Sequence, residues 1–212
     1  MGLDEGGVRG SYDRVAERYA DEFVDELEGK PIERALLGLV AEEVARGDGG
    51  VVADLGAGPG QIGAFLRDRG TTVLALDLAP GMAAIARRRL GLPAVAGSLT
   101  ALPVAGGSLA AATAFYCLIH LDDAGLDAAA AELVRALRPG GIVLVGTHVG
   151  DGVRHLDEWW GHPVDLDFRM FSTPLLVDRL SAAGLRVEMV TERAAQPQET
   201  TRRAYVLARA PA

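Results

Sequence analysis

Residues 51–63 read VVADLGAGPGQIG and contain Gly58-Pro-Gly60-Gln-Ile-Gly63, a G-x-G-x-x-G string. After a short apolar run, such a string is the pattern of a nucleotide-binding turn, whose glycines let a ligand approach the backbone. Two carboxylates flank it. Asp54 stands two residues before Gly56, and Asp77 closes the next apolar run, Thr71-Thr-Val-Leu-Ala-Leu-Asp77. An acid in that second place accepts hydrogen bonds from ribose hydroxyls. Two features argue against a pyrophosphate. Pro59 has no N–H to give a phosphate cradle. Asp54 is expected to face the ligand, and like charges about 4 Å apart repel by about 4 kcal/mol at an effective dielectric near 20. A nucleoside carrying an ammonium group and a sulfonium suits this turn better.

Other residues that could do chemistry lie further on. His120 and His148 each follow a predicted strand on the side where open α/β sheets bind ligands, so each is a candidate for touching substrate. The plainer reading is a loop histidine satisfied by backbone. Tyr116 is expected to line the cofactor or the acceptor pocket. The segment 149–171 has little helical pattern and is expected to be a long substrate-side loop. It holds Glu158, Trp159, Trp160 and Phe168, a mixture suited to an aromatic or amine acceptor, unless the tryptophans merely anchor it. No metal site is legible. Asp122-Asp123 and Asp165/Asp167 read as helix-capping or water-facing acids.

The elements that must position these residues alternate in period. Tyr12, Val15, Tyr19, Phe23 and Leu27 recur at helical spacing. A second helix follows Pro31, with Ile32, Leu36, Leu39 and Val40 as its expected apolar face. Strands are expected at 51–55, 71–77, 93–96, 109–119 and 142–145, with helices at 60–69, 80–90 and 123–137 between them. That order implies a parallel sheet wound on both faces. A helix at 173–183 and two strands, 185–191 and 204–208, close the chain. Strands joined without a helix are usually antiparallel, so the sheet is expected to end in a hairpin. Cys117, the only cysteine, reads as a buried strand residue.

Composition narrows the partners. The 212 residues suffice for one domain, and the net charge of −8 opposes binding to nucleic acid. Arg87-Arg88-Arg89 reads as a solvated helix face. Apolar runs are strand-length, and residues 1–10 lack both a secretory pattern and, at Gly2, an acylation pattern, so a cytoplasmic protein without membrane contact is expected. Lys30 is the sole lysine, which with abundant Ala, Gly and Val suits a GC-rich bacterial source.

Four segments carry a resemblance. Val52-Ala-Asp-Leu-Gly-Ala-Gly-Pro-Gly60 resembles the first motif of class I S-adenosylmethionine-dependent methyltransferases, and Leu76-Asp-Leu-Ala-Pro-Gly-Met82 resembles their second-strand segment. Gly97-Ser-Leu-Thr-Ala-Leu-Pro103 occupies the place of their G-D-A-x-x-L-P loop, and Leu137-Arg-Pro-Gly-Gly141 is similar to the turn before their fifth strand. The resemblance implies a three-layer Rossmann-like fold with a seven-stranded, mostly parallel sheet. It implies that Gly56, Ala57, Gly58 and Gly60 pass under the methionine moiety and ribose, while Asp54 helps hold the amino group. Asp77 would bind the ribose, with Leu78 and Met82 lining the adenine. Ser98 replaces the usual Asp that takes the adenine amino group, leaving the Leu99 backbone more to do. Ser11-Tyr-Asp-Arg-Val-Ala-Glu-Arg-Tyr19 looks like the N-terminal lid of small-molecule members, with Tyr12 and Tyr19 closing over the cofactor; plain helix packing competes. Glu158-Trp159 resembles a substrate-side segment, which makes Glu158 a candidate base.

The reading is one methyltransferase domain over 1–212, with lid helices in 1–47 and a core in 50–212. It would act on a small molecule as a monomer or homodimer, methylating O or N of a bacterial metabolite or natural product. A cofactor-retaining cyclase or binding protein is the alternative, and an NAD oxidoreductase a more distant one.

Overall fold

Short apolar runs bounded by glycine and proline become strands, and the amphipathic stretches between them become helices. The computed structural model describes residues 5–212; residues 1–10 therefore fall only partly within it, and Gly2 lies outside. Helix α1 (Glu5–Phe23) and a short turn of 3₁₀ helix (Glu26–Gly29) precede α2 (Pro31–Arg46). Then come β1 (Val51–Leu55), α3 (Gln61–Arg67), β2 (Thr72–Asp77), α4 (Pro80–Leu90), β3 (Ala94–Ala96) and β4 (Leu109–Phe115). After α5 (Asp123–Ala136) the chain forms β5 (Leu137–Val149), β6 (Val153–Trp159), β7 (His162–Arg169), α6 (Thr173–Ala182), β8 (Arg186–Arg193) and β9 (Arg202–Arg209).

The main sheet has seven strands in the order β3-β2-β1-β4-β5-β9-β8. Pairs from β3 to β5 are parallel, and β9 runs antiparallel to both β5 and β8. The expected closing hairpin is therefore present. The long β5 gives it an eight-residue ladder with β9, from Ile142–Arg209 to Val149–Arg202. Val143 and Val145 of β5 join α5 and α6 in one core, while Ile142 and Leu144 join α2 and α3 in the other. This two-sided burial is why β5 carries an unbroken apolar run. Local chemistry sets the helix starts. Pro80 stands in the first turn of α4, and Asp122 caps α5 by accepting the Gly125 N–H at 2.8 Å.

Three expectations are corrected. The segment 149–171 is a two-stranded antiparallel sheet, β6–β7, and not a loop. Its turn is Trp160-Gly161, with φ of 55° and 79°. Val164 and Leu166 of β7 pack on Val15 of α1, which gives the hairpin a core of its own. On α2 the buried apolar positions are Leu37, Val40, Ala41 and Val44, whereas Ile32 and Leu39 are exposed. These buried residues place α2 in the sheet-covering layer, and α1 is the element over the cleft. Strand β4 ends at Phe115, so Cys117 lies beyond it and is half-buried. Arg87, Arg88 and Arg89 are exposed, as expected of a solvated face, and there Arg88 and Arg89 pair with Glu17, and Arg89 also with Asp21, of α1.

Candidate active site

The carboxyl ends of β1, β2 and β4 open onto a cleft. Its floor is the glycine turn. Gly56 has φ of 63°, and a Cβ there would sit 2.2 Å from Cys117 Cβ, so the turn and the chain after β4 approach too closely for any side chain. A Cβ on Gly60 would meet Leu92 at 2.8 Å and Ala86 at 3.0 Å. Gly60 therefore serves the packing of α3 on α4, and it does not line the cleft, whereas Gly56, Ala57 and Gly58 do. Gly63 also packs inside the fold, its Cβ position 3.0 Å from Leu92 and 3.2 Å from Val73.

The two acids part company. Asp77 lines the cleft, its Oδ2 accepting the Gly58 N–H at 2.7 Å and its Oδ1 the Ala79 N–H at 2.8 Å. Burial pushes its carboxyl up to about 6 against these two bonds. Each oxygen keeps a lone pair for a ligand hydroxyl. Asp54 is 1% exposed and is not among the lining residues. Its Oδ1 accepts the Thr113 hydroxyl at 3.0 Å and its Oδ2 the Gly63 N–H at 2.9 Å, and burial pushes it up to about 7. The expected ligand-facing carboxylate thus points into the fold, where it ties the start of α3 to β4. The like-charge argument against a pyrophosphate loses its main term, and the missing N–H of Pro59 keeps its force.

Helix α1 roofs the cleft with Glu5, Val8, Tyr12 and Tyr19. Tyr12 and Tyr19 sit two turns apart on one face, their rings 5.9 Å apart edge to face. Leu78, Met82 and Leu99 line the cleft too, an apolar slot edged by Ser98, with Met82 packed in the same cluster as Tyr12 and Tyr19. Asp13 fastens the roof by accepting the Gly81 N–H of α4 at 2.7 Å.

His120 closes the cleft beside Tyr12. Its Nδ1 lies 2.9 Å from the Asp167 carbonyl oxygen, which can only accept, so Nδ1 carries the proton. Nε2 then accepts from the Tyr12 hydroxyl at 2.8 Å. Burial pushes His120 down to about 4, so the ring is neutral near pH 7. Tyr116 also lines the cleft, with φ of 56° and its ring 5.1 Å from His148. His148 lies within β5 and does not itself reach the lining; its Nδ1 contacts Thr201 Oγ1 at 2.9 Å. Burial and then Arg203 and Lys30 push it down to about 4. Glu158 is exposed on β6, accepts the Gly161 N–H at 3.2 Å and stands away from the cleft. Trp159 and Trp160 stack at 4.7 Å and pack against Tyr19, anchoring the hairpin to α1.

Sequence reasoning missed Glu5, Glu26, Gln61 and Cys117 as lining residues. Gln61, the first residue after the turn, was findable from its place at the α3 N-terminus. It also missed a buried network behind Tyr116. Glu33, 1% exposed, receives the Tyr205 hydroxyl and the Arg193 guanidinium at 2.5 Å. Arg193 turns its other edge to Glu199, which it holds down at about 2. Lys30 and Arg203 both sit 5.5 Å from the Tyr116 ring.

Residues 52–141 match the model of a methyltransferase domain. With this sheet order and this cleft, the chain is similar to the class I S-adenosylmethionine-dependent methyltransferases in the matched segment and in fold. It is 34% identical over 140 residues to a malonyl-[acyl-carrier protein] O-methyltransferase of Serratia marcescens, covering 66% of this chain and 54% of that one. The corresponding protein of Enterobacter lignolyticus is 31% identical over 163 residues, covering 74% and 60%. The chain thus spans little more than half the length of these relatives. Among solved structures, the fold matches Burkholderia thailandensis 1,6-didemethyltoxoflavin-N1-methyltransferase, bound to 1,6-didemethyltoxoflavin and S-adenosylhomocysteine. The TM-score is 0.72 at 22% identity, covering 98% of this chain and 88% of that one. A [4+2]-cyclase, SpnF, matches with a TM-score of 0.72 at 19% identity over 100% and 97% of the two chains. The residues present would fit S-adenosylmethionine: Asp77 has acceptor sites for a ribose diol, the apolar slot could take a flat ring, and at Gly58 a side chain would enter the cleft.

Proposed function

We propose that this chain transfers a methyl group from S-adenosylmethionine to an oxygen or nitrogen of a small molecule, as part of bacterial metabolism or natural-product synthesis. The observation that carries the reading is a cleft lined by two kinds of group. Asp77, Leu78 and Met82 suit a nucleoside, while Tyr12, Tyr116 and His120 offer hydroxyl and imidazole groups. When bound, the cofactor supplies a methyl carbon already activated by its sulfonium. The protein's part is alignment, worth roughly 7–11 kcal/mol in favourable cases, together with exclusion of water by α1.

An acceptor that arrives as an anion or a free amine needs no base. One that arrives protonated meets Tyr12, whose oxygen can take the proton while its own hydrogen moves to His120 Nε2. Neutral His120 stays ready for this above pH 4, though its weak basicity limits the gain. His148 acts on the site through the Tyr116 ring, and Glu158 is too far out on the hairpin to serve without movement of β6. The names of the curated relatives add a free carboxylate to the acceptors worth testing.

The test is methyl transfer from cofactor labelled in the methyl group to carboxylates, phenols, amines and an extract of the source cells. Labelled product is expected from at least one. Tight cofactor binding with no label in any of them would refute the proposal in favour of a cyclase or a binding protein.

A further inference from the structure

We propose that Glu5, on the roof helix, recognises the exocyclic amino group of the cofactor's adenine. This rests on S-adenosylmethionine being the ligand of the cleft. At the slot formed by Leu78, Met82 and Leu99, the natural polar candidate is Ser98, but most of its hydrogen-bonding capacity is taken. Its single hydrogen goes to Glu5 Oε1. Its oxygen accepts the Thr100 N–H at 3.0 Å, and Thr100 Oγ1 crowds its other side at 2.7 Å. A hydroxyl has one donor and two acceptor sites, so Ser98 keeps one crowded acceptor site and no hydrogen for a ligand.

Those bonds instead aim a carboxylate. Glu5 Oε1 is held by Ser98 and by the Thr100 hydroxyl, 3.1 Å away. Among the described residues Oε2 has no hydrogen-bond partner, and Glu5 lines the cleft beside the apolar slot. A carboxylate accepts and does not donate. It therefore favours a purine with a 6-amino group, which donates, over one with a 6-oxo group, which presents an oxygen. Because Glu5 belongs to α1, reading the base and closing the roof become one event: the ligand's amino group is bound only when the first turn of α1 has docked on Ser98 and Thr100.

Calorimetry with S-adenosylhomocysteine and its 6-oxo analogue, S-inosylhomocysteine, reads this directly and needs no acceptor. The wild-type chain is expected to prefer the amino ligand by roughly 10- to 100-fold, the range for a hydrogen bond to a charged group. Glu5→Ala should weaken the amino ligand by about tenfold or more while changing the oxo ligand far less. Glu5→Ala/Ser98→Asp returns a carboxylate to the same slot from its other side and should restore the preference, which a merely structural role for Glu5 does not predict. If Glu5→Ala binds neither ligand, Glu5→Gln decides. Its amide can still receive Ser98 and Thr100, and its preference must fall. An amino preference unchanged in Glu5→Ala or in Glu5→Gln overturns the assignment to Glu5. Wild-type protein that binds neither ligand overturns the cofactor reading and this inference with it.

Discussion

Replacing Asp54 with Asn should stabilise the protein, and the gain should grow with pH. Asp54 is 1% exposed and is pushed from 3.8 up to about 7 by burial, against the bonds from Thr113 and Gly63. A carboxyl whose folded value is raised binds its proton more tightly in the folded state. Its charge costs nothing below about pH 4, costs progressively more up to about 7, and is constant above. At 1.36 kcal/mol per unit, the full cost is about 4 kcal/mol at pH 8 and about 2 kcal/mol at pH 5.5. Asn keeps both contacts in the same shape, its carbonyl taking the Gly63 N–H and its amide donating to Thr113 Oγ1. The displaced Thr113 hydrogen returns about 1 kcal/mol of cost at either pH. Urea unfolding of Asp54→Asn and wild type should therefore differ by about 3 kcal/mol at pH 8 and about 1 kcal/mol at pH 5.5. Equal differences at the two pH values, or a less stable variant at pH 8, would show that the Asp54 charge is not buried as the structure has it. Calorimetric titration of the same variant with S-adenosylhomocysteine asks the separate question of a ligand role. Affinity within about threefold of wild type fits a carboxylate engaged by Thr113 and Gly63 and not by the ligand.

Two further outcomes follow from the same geometry. Gly58→Ala should fold, losing about 1 kcal/mol for a left-handed alanine, yet bind cofactor poorly because its methyl enters the cleft; Gly56→Ala should lose far more stability, its Cβ falling 2.2 Å from that of Cys117. Thermal melts with and without S-adenosylhomocysteine separate the two effects. Glu33→Gln should cost about 3 kcal/mol in urea unfolding at pH 7, because Arg193 then faces Glu199 alone in a site 8% exposed or less. The low end of the usual range applies, since one carboxylate remains.

Much of the fold was legible because local chemistry and global position agreed. Pro80, Asp122 and Gly184 punctuate helices by rules that need no tertiary context, and the buried strands announce themselves as unbroken apolar runs. The β6–β7 hairpin was missed for an equally local reason. Val164, Leu166 and Phe168 do alternate, but the turn between the strands is Trp160-Gly161, and tryptophan at φ of 55° is no ordinary turn residue. Aromatic density then read as a binding loop, when Trp159 and Trp160 are packing against α1. The site divides along the same line. Gly56, Ala57 and Gly58 of the turn and Asp77 at the end of β2 line the cleft, and Gly60 does not. Asp54 could not be oriented from spacing, because a strand residue's direction depends on which face its neighbours fill, and here Thr113 of β4 draws it inward. Glu5 and the Glu33–Arg193–Glu199 network depend on contacts between segments far apart in the chain, which no single stretch of sequence encodes.

The roof is joined to the fold on two sides, by α4 and by β7. Toward α4, Ala16 and Ala20 pack on Met82 and Ile85, and the Glu17 and Asp21 pairs with Arg88 and Arg89 lie at the exposed edge, where water and salt leave them little stabilising effect. Its contacts with β7 are apolar as well. Val15 is 1% exposed, Leu166 is fully buried and Val164 nearly so, and side chains of this type contribute about 1.5–3 kcal/mol each. Ser11 adds a two-way link, accepting the Asp165 N–H at 2.9 Å and donating to the Asp165 carbonyl at 3.4 Å. The Asp167 carbonyl, His120 and Tyr12 continue the chain of bonds from the hairpin to the cleft wall. An acidic protein can thus carry an arginine-rich seam at the edge of α1 and α4 without depending on it, because the apolar contacts of α1 with β7 and with α4 hold the roof.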